Sequence, residues 1–158
     1  MKSKCNNLVK ILKEKNLKIA FAESCTGGLL AKLVTDVPGC SDIFECGIVS
    51  YSNDIKHSVL KVKSKTLENF GAVSENTVME MTEGLKKISG CDIAVSVSGI
   101  AGPTGGTKDK KVGLIYYDIY YKNHNVFKAQ YYDEKLSRDD RRNMIALEIF
   151  DKVIKIAD

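Results

Sequence analysis

Residues 17–22 constrain this chain most: a short apolar run that enters directly into Glu23-Ser24-Cys25-Thr26-Gly27-Gly28. A run of this kind suits a central strand buried on both faces, and such strands belong to sheets covered by helices on both sides. Residues 93–98 repeat the pattern and lead into 99–111, where Gly99, Gly102, Pro103, Gly105 and Gly106 are too many breakers for helix or strand. Residues 44–51 read as a further strand.

Helical spacing fills the intervals. Cys5, Leu8, Val9 and Leu12 share a stripe that Ser3 can cap and Asn16 can end in the left-handed region. Leu29, Leu30, Leu33, Val34 and Val37 form a second stripe, which must stop before Pro38-Gly39. Ser52 or Asn53 begins a short helix carrying Lys56, Val59 and Leu60, and Ser64 opens another. Ser74 starts a longer helix, with Val78, Met81, Leu85 and Ile88 facing inward and Gly90 as its stop. Residues 112–121 and 126–132 read as a hairpin joined at Asn123-His124-Asn125, and a last helix covers about 137–156. The alternation predicts a three-layer α/β/α sandwich on a mixed, mostly parallel sheet with a late antiparallel hairpin. With 158 residues, 44% of them hydrophobic, one domain over 1–158 is expected.

Several classes of function are disfavoured. No apolar run approaches the roughly 18 residues that span a bilayer, and the N-terminus has no signal-peptide pattern, so a cytoplasmic protein without membrane contact is expected. The five cysteines form an odd set without a C-x-x-C pair, and only His57 and His124 could join them, so neither a disulfide framework nor a metal site is suggested. The formal charge of +4 is scattered among 20 acidic residues, which argues against a nucleic-acid partner.

Ligands of open α/β sheets bind beyond the carboxyl ends of the strands, where residues 23–28, 51–56 and 99–106 converge. Ser24, at a strand-to-helix turn, fits a nucleophile with backbone donors around Cys25, Thr26, Gly27 and Gly28 as its oxyanion hole; it fits equally a plain helix cap. His124 lies in the hairpin turn and His57 faces away from its neighbour Lys56, so a lysine with lowered proton affinity is the remaining base. Lys56 is placed for that, with Tyr51 to pass the proton or hold the amine; the plainer reading is a surface lysine and a packing tyrosine. Cys25 is a rival nucleophile or a buried filler. Arg138, Arg141 and Arg142, in the first turns of the last helix, read as phosphate anchors or as solvated cations.

These blocks together resemble the CinA C-terminal domain family: A-E-S-C-T-G-G (22–28), G-I-V-S-Y-S-N-D-I-K (47–56), G-A-V-S-E (71–75) and S-G-I-A-G-P-T-G-G (98–106). The resemblance implies hydrolysis of nicotinamide mononucleotide to nicotinate mononucleotide and ammonia, without metal or cofactor. It implies attack by Ser24, assistance by Lys56 and Tyr51, and a homodimer. For such a substrate, the loop carrying Gly102, Thr104 and Gly105 together with Arg138 or Arg142 is expected to hold the ribose phosphate and so orient the amide. The same family includes proteins with an additional N-terminal domain, so this chain is expected to be a stand-alone member. A non-catalytic nucleotide- or partner-binding module linked to competence is the alternative. Two departures stand out: the family's F-x-G-x-R-x-x-x-R becomes residues 134–142 here, keeping both arginines but neither the phenylalanine nor the glycine, and Lys111 replaces a proline.

Overall fold

The computed structural model describes residues 1–158. Six helices, five strands and one 3₁₀ turn follow one another as α1 (Lys2–Glu14), β1 (Ile19–Glu23), α2 (Leu29–Thr35), the 3₁₀ turn (Cys40–Asp42), β2 (Phe44–Val49), α3 (Asn53–Ser58), α4 (Ser64–Phe70), α5 (Glu75–Ser89), β3 (Ile93–Gly99), β4 (Leu114–Tyr121), β5 (His124–Tyr131) and α6 (Arg138–Ala157). The caps explain several boundaries. Ser52, Ser74 and Ser137 each accept a backbone N–H at a helix start, and Ser137 with Asp140 completes a capping box. Gly90 closes α5 in the left-handed region at φ 63°.

The sheet runs β2-β1-β3-β4-β5. β1 is parallel to both β2 and β3, β4 is antiparallel to β3 and to β5, and so four of the five strands point the same way with β4 alone reversed. One face carries Ile19, Phe21, Ile93, Val95, Val97, Ile115, Tyr117 and Ile119 against α1, α2 and α6. The other carries Ala20, Ala22 and Ala94 beneath Leu60, Val62, Met81 and Leu85, which come from α5 and the segment after α3. This is the α/β/α layering read from the sequence. No helix is long and apolar enough to cross a membrane.

Details differ from the sequence reading where tertiary position overrides local pattern. Helix α1 begins at Lys2 behind Met1, so Ser3 lies inside it and caps nothing. β2 is an edge strand, its burial alternates, and it stops at Val49, short of Tyr51. α3 ends at Ser58, leaving Val59 and Leu60 outside it. Ile88 is 52% exposed, because the inward stripe of α5 ends with Gly84 and Leu85. The hairpin turns at Lys122-Asn123, both at positive φ (48° and 63°), a two-residue turn whose twist matches that of the strands; His124 is therefore the first residue of β5 rather than part of the turn.

Candidate active site

β1 delivers Ser24 to the start of a tight turn, and Glu23 fixes the turn to α2. The Glu23 carboxylate is fully buried and accepts the N–H groups of Gly28 (3.0 Å), Leu30 (3.1 Å) and Ala31 (2.9 Å). A carboxylate here satisfies orphan donors and complements the positive end of the helix. Gly27 and Gly28, at φ 64° and 96°, let the chain reverse between strand and helix.

Ser24 and Lys56 meet. Lys56 Nζ lies 3.0 Å from Ser24 Oγ, 2.6 Å from the Ser50 carbonyl and 3.4 Å from the Tyr51 carbonyl. Lys56 is 1% exposed and takes part in none of the chain's ion pairs. Burial without a countercharge lowers its pKa to about 8, the Cys25 thiol opposing slightly. The three contacts suit a neutral amine: two N–H bonds to the two carbonyls leave one lone pair for the Ser24 hydroxyl. Ser50 in turn is tied to Glu23, whose carbonyl accepts the Ser50 N–H at 2.8 Å, so both members of the pair hang from one buried junction.

The oxyanion donors are fewer than the sequence reading supposes. Gly28 N–H is taken by Glu23, and Gly27 N–H donates to the Ser24 carbonyl at 3.1 Å. The N–H groups of Cys25 and Thr26 have no acceptor within the chain and are the free pair. The Cys25 thiol turns the other way, into the large core, where burial pushes its pKa up to about 12. A thiolate is thus disfavoured one residue from the serine.

A cleft of about 330 Å³ opens over the pair. Ser24, Cys25, Tyr51, Lys56, Gly102, Thr104, Gly105 and Arg138 line it, with Ser98 and Ala72 on the facing wall. Thr26, Gly27, Gly28 and Arg142 do not line it, although all four were expected to hold substrate. Thr26 is fully buried, and Arg142 donates to the Thr26 carbonyl behind the elbow, so it is not exposed to a phosphate in the cleft. Tyr51 is 62% exposed, and its hydroxyl accepts from Arg138 Nη2 at 2.9 Å, so the tyrosine reaches Lys56 through its backbone carbonyl rather than its ring. Arg138 also donates to the Gly102 carbonyl at 2.8 Å.

Arg141 is a fastener. Fully buried, it donates to the carbonyls of Ala101, Asp133 and Glu134 and so ties the glycine loop to α6. Lys110 anchors the same loop to the carbonyls of Phe70 and Val73. Between these anchors the N–H groups of Gly102, Thr104 and Gly105, which line the cleft, remain without chain acceptors. Arg141 read from sequence as a phosphate anchor or a solvated cation and is neither, while Glu23 and Ser50 were not singled out. An acid just ahead of a helix hints at Glu23, but nothing local marks Ser50, which acts through its carbonyl. His57 bonds the Val62 carbonyl and stays out of the site. No group of three or more histidine, cysteine or acidic side chains comes together in a way that could hold a metal ion.

The family model described as the CinA C-terminal domain matches residues 1–156. A CinA-like protein of Thermotoga neapolitana is 49% identical over 148 residues, covering 94% of this chain and 36% of that protein. A CinA-like protein of Leptospira borgpetersenii is 52% identical over 125 residues, covering 79% of this chain and 30% of its own length. The chain thus spans about a third of the length of these relatives. Among solved structures, a competence/damage inducible protein from Agrobacterium tumefaciens superposes with TM-score 0.95 at 32% identity, over 99% of this chain and 95% of the other. One from Enterobacter asburiae gives TM-score 0.94 at 26% identity, over 99% and 98%.

Proposed function

The chain belongs to the CinA C-terminal domain family, and from that premise we propose that it is an amidohydrolase acting on the carboxamide of nicotinamide mononucleotide. One observation carries the reading: a buried lysine amine, unpaired and with pKa lowered to about 8, sits 3.0 Å from a serine hydroxyl at the mouth of a cleft. A lysine in that setting is of little use as a cation and well suited as a base.

The chemistry then divides among these residues. Neutral Lys56 takes the Ser24 proton as Oγ bonds the carboxamide carbon, and the Cys25 N–H, the free donor that lines the cleft, receives the developing oxyanion. Lys56 returns the proton to the departing nitrogen, releasing ammonia and leaving an acyl-serine. Water, deprotonated by the same amine, cleaves that ester to give the nicotinate product. Arg138 and the unpaired N–H groups of the glycine loop supply positive potential for a phosphate remote from the reacting carbon, so its binding orients the amide.

Incubating the purified chain with nicotinamide mononucleotide and measuring ammonia tests the reading. Steady release, with a mass increase on the Ser24 peptide after acid quench, supports it. No release and no adduct would instead favour a ligand-holding module without turnover.

A further inference from the structure

Arg142 is deployed as neither a phosphate anchor nor a surface arginine would be. It enters no ion pair, donates from Nη2 to the Thr26 carbonyl, and leaves Nε buried without an acceptor. Gly27 makes room for it: a Cβ there would lie 2.3 Å from Arg142 Nη2. A cation is therefore held against the back of the elbow, and it touches the elbow at a carbonyl.

From that carbonyl a continuous path runs to the reacting centre. The Thr26 carbonyl and the Gly27 N–H belong to one peptide group, and that N–H donates to the Ser24 carbonyl at 3.1 Å. The Ser24 carbonyl and the Cys25 N–H belong to a second peptide group, and the Cys25 N–H is one of the two free donors. An amide whose oxygen accepts from a cation becomes a stronger donor at its nitrogen, and bonds in series reinforce one another. The charge is also felt nearby, since at the Cys25 thiol it opposes the upward push of burial.

We propose that Arg142 is a positioning residue which strengthens the Cys25 oxyanion donor through two hydrogen-bonded peptide groups. The inference rests on the amidohydrolase reading for its role in turnover, but the relay itself is a property of the unliganded chain. It gives Arg138 and Arg142, four residues apart on α6, different tasks: Arg138 faces the cleft and Arg142 the scaffold of the serine.

The test compares the wild-type chain with Arg142→Gln, which keeps a donor but no charge, and Arg142→Lys, which restores the charge. Two readouts apply: the rate at which a fluorophosphonate labels Ser24, where Oγ bonds phosphorus and fluoride leaves, and the Cys25 amide proton shift by NMR. Arg142→Gln is expected to slow labelling about tenfold, a fraction of what deleting an oxyanion donor costs, and to move the Cys25 amide upfield. The labelling midpoint, set by Lys56 near pH 8, stays in place. Arg142→Lys recovers most of both. With nicotinamide mononucleotide the loss falls on kcat, not KM. Labelling at the wild-type rate with an unmoved Cys25 amide overturns the relay, as does a loss confined to KM, the mark of a phosphate anchor. Wild-type protein that releases no ammonia while labelling and shift still respond would overturn the amidase reading and leave the relay standing. Should Arg142→Gln not fold, Arg142→Lys decides alone: its Cys25 amide moves upfield as the new lysine loses its proton at high pH, relative to wild type, and absence of that extra movement overturns the proposal.

Discussion

On one side of the sheet Phe21, Val95, Val97 and Ile119 meet α1, α2 and α6 in a continuous apolar layer, whereas on the other Ala20, Ala22, Ala94, Ser96 and Asp118 meet α5 through small side chains and hydrogen bonds. There Thr82 and Ser96 share a 2.7 Å bond, Ser96 donates to the Val78 carbonyl, and Asn125 donates to Asp118. The large cluster holds 26 buried residues and the small one 8, so most of the apolar burial that stabilises the fold lies away from the serine and lysine. The second side can therefore accept a buried, unpaired amine because the first carries most of the stability. Ser24 and Cys25 lie on the dividing line, one facing each way.

Five experiments break or sharpen that contrast. The largest effect belongs to the polar side: Lys56→Arg removes the base, and should lower kcat for ammonia release by about 10³-fold or more; it should also lower the melting temperature, because a guanidinium stays charged where the buried amine can be neutral. Retained turnover would remove the reason for placing an uncompensated lysine there. On the apolar side, Phe21→Ala should cost about 3–5 kcal/mol, read as a lower urea midpoint, with kcat per folded molecule nearly intact.

A smaller change probes the narrow side directly. A Cβ at Gly84 would lie 1.8 Å from the Leu60 carbonyl oxygen, so Gly84→Ala should destabilise by about 1–3 kcal/mol through displacement of α5, visible in the same urea titration. The pH dependence of kcat/KM follows from Lys56. Below its pKa of about 8 the amine is protonated and cannot accept the Ser24 proton, so activity rises with pH through about 8 and at pH 7 stands at roughly a tenth of its plateau. A rise centred near an ordinary lysine value would mean the amine is solvated during turnover. Within the same profile Cys25→Ala, on the apolar side of the line, should leave turnover within about threefold of wild type and move the midpoint at most slightly downward, since the thiol's small upward push on Lys56 is removed.

How much of this was legible in the sequence divides along the same line. The layers were readable because unbroken apolar strands and amphipathic helices leave few ways to bury both faces, and Gly90 and the serine caps marked their own boundaries. Ser24 and Lys56 were legible as a pair through the absence of a usable histidine and through the family blocks. What the sequence could not show were the contacts made by backbone. The Ser50 carbonyl that holds Lys56 carries no side-chain signature, and neither does the N–H pair left at Cys25 and Thr26 after Glu23 has taken its neighbours. Arg138, Arg141 and Arg142 looked equivalent as a basic first turn, yet helical rotation sends them to the cleft, the loop anchors and the back of the elbow. Tyr51 was placed beside the lysine by its position at the strand end and by the family resemblance, and its ring points outward because the edge strand has already ended.

The bridge from Arg138 to the Tyr51 hydroxyl and the Gly102 carbonyl makes anion capture at this cleft an exchange reaction. A bare phosphate ion that draws these two N–H groups to itself replaces two bonds inside the protein with two of its own, and so gains little from them. A ligand that also fills the space over the serine recovers the difference elsewhere. The mouth of the cleft thereby favours whole molecules over their charged fragments.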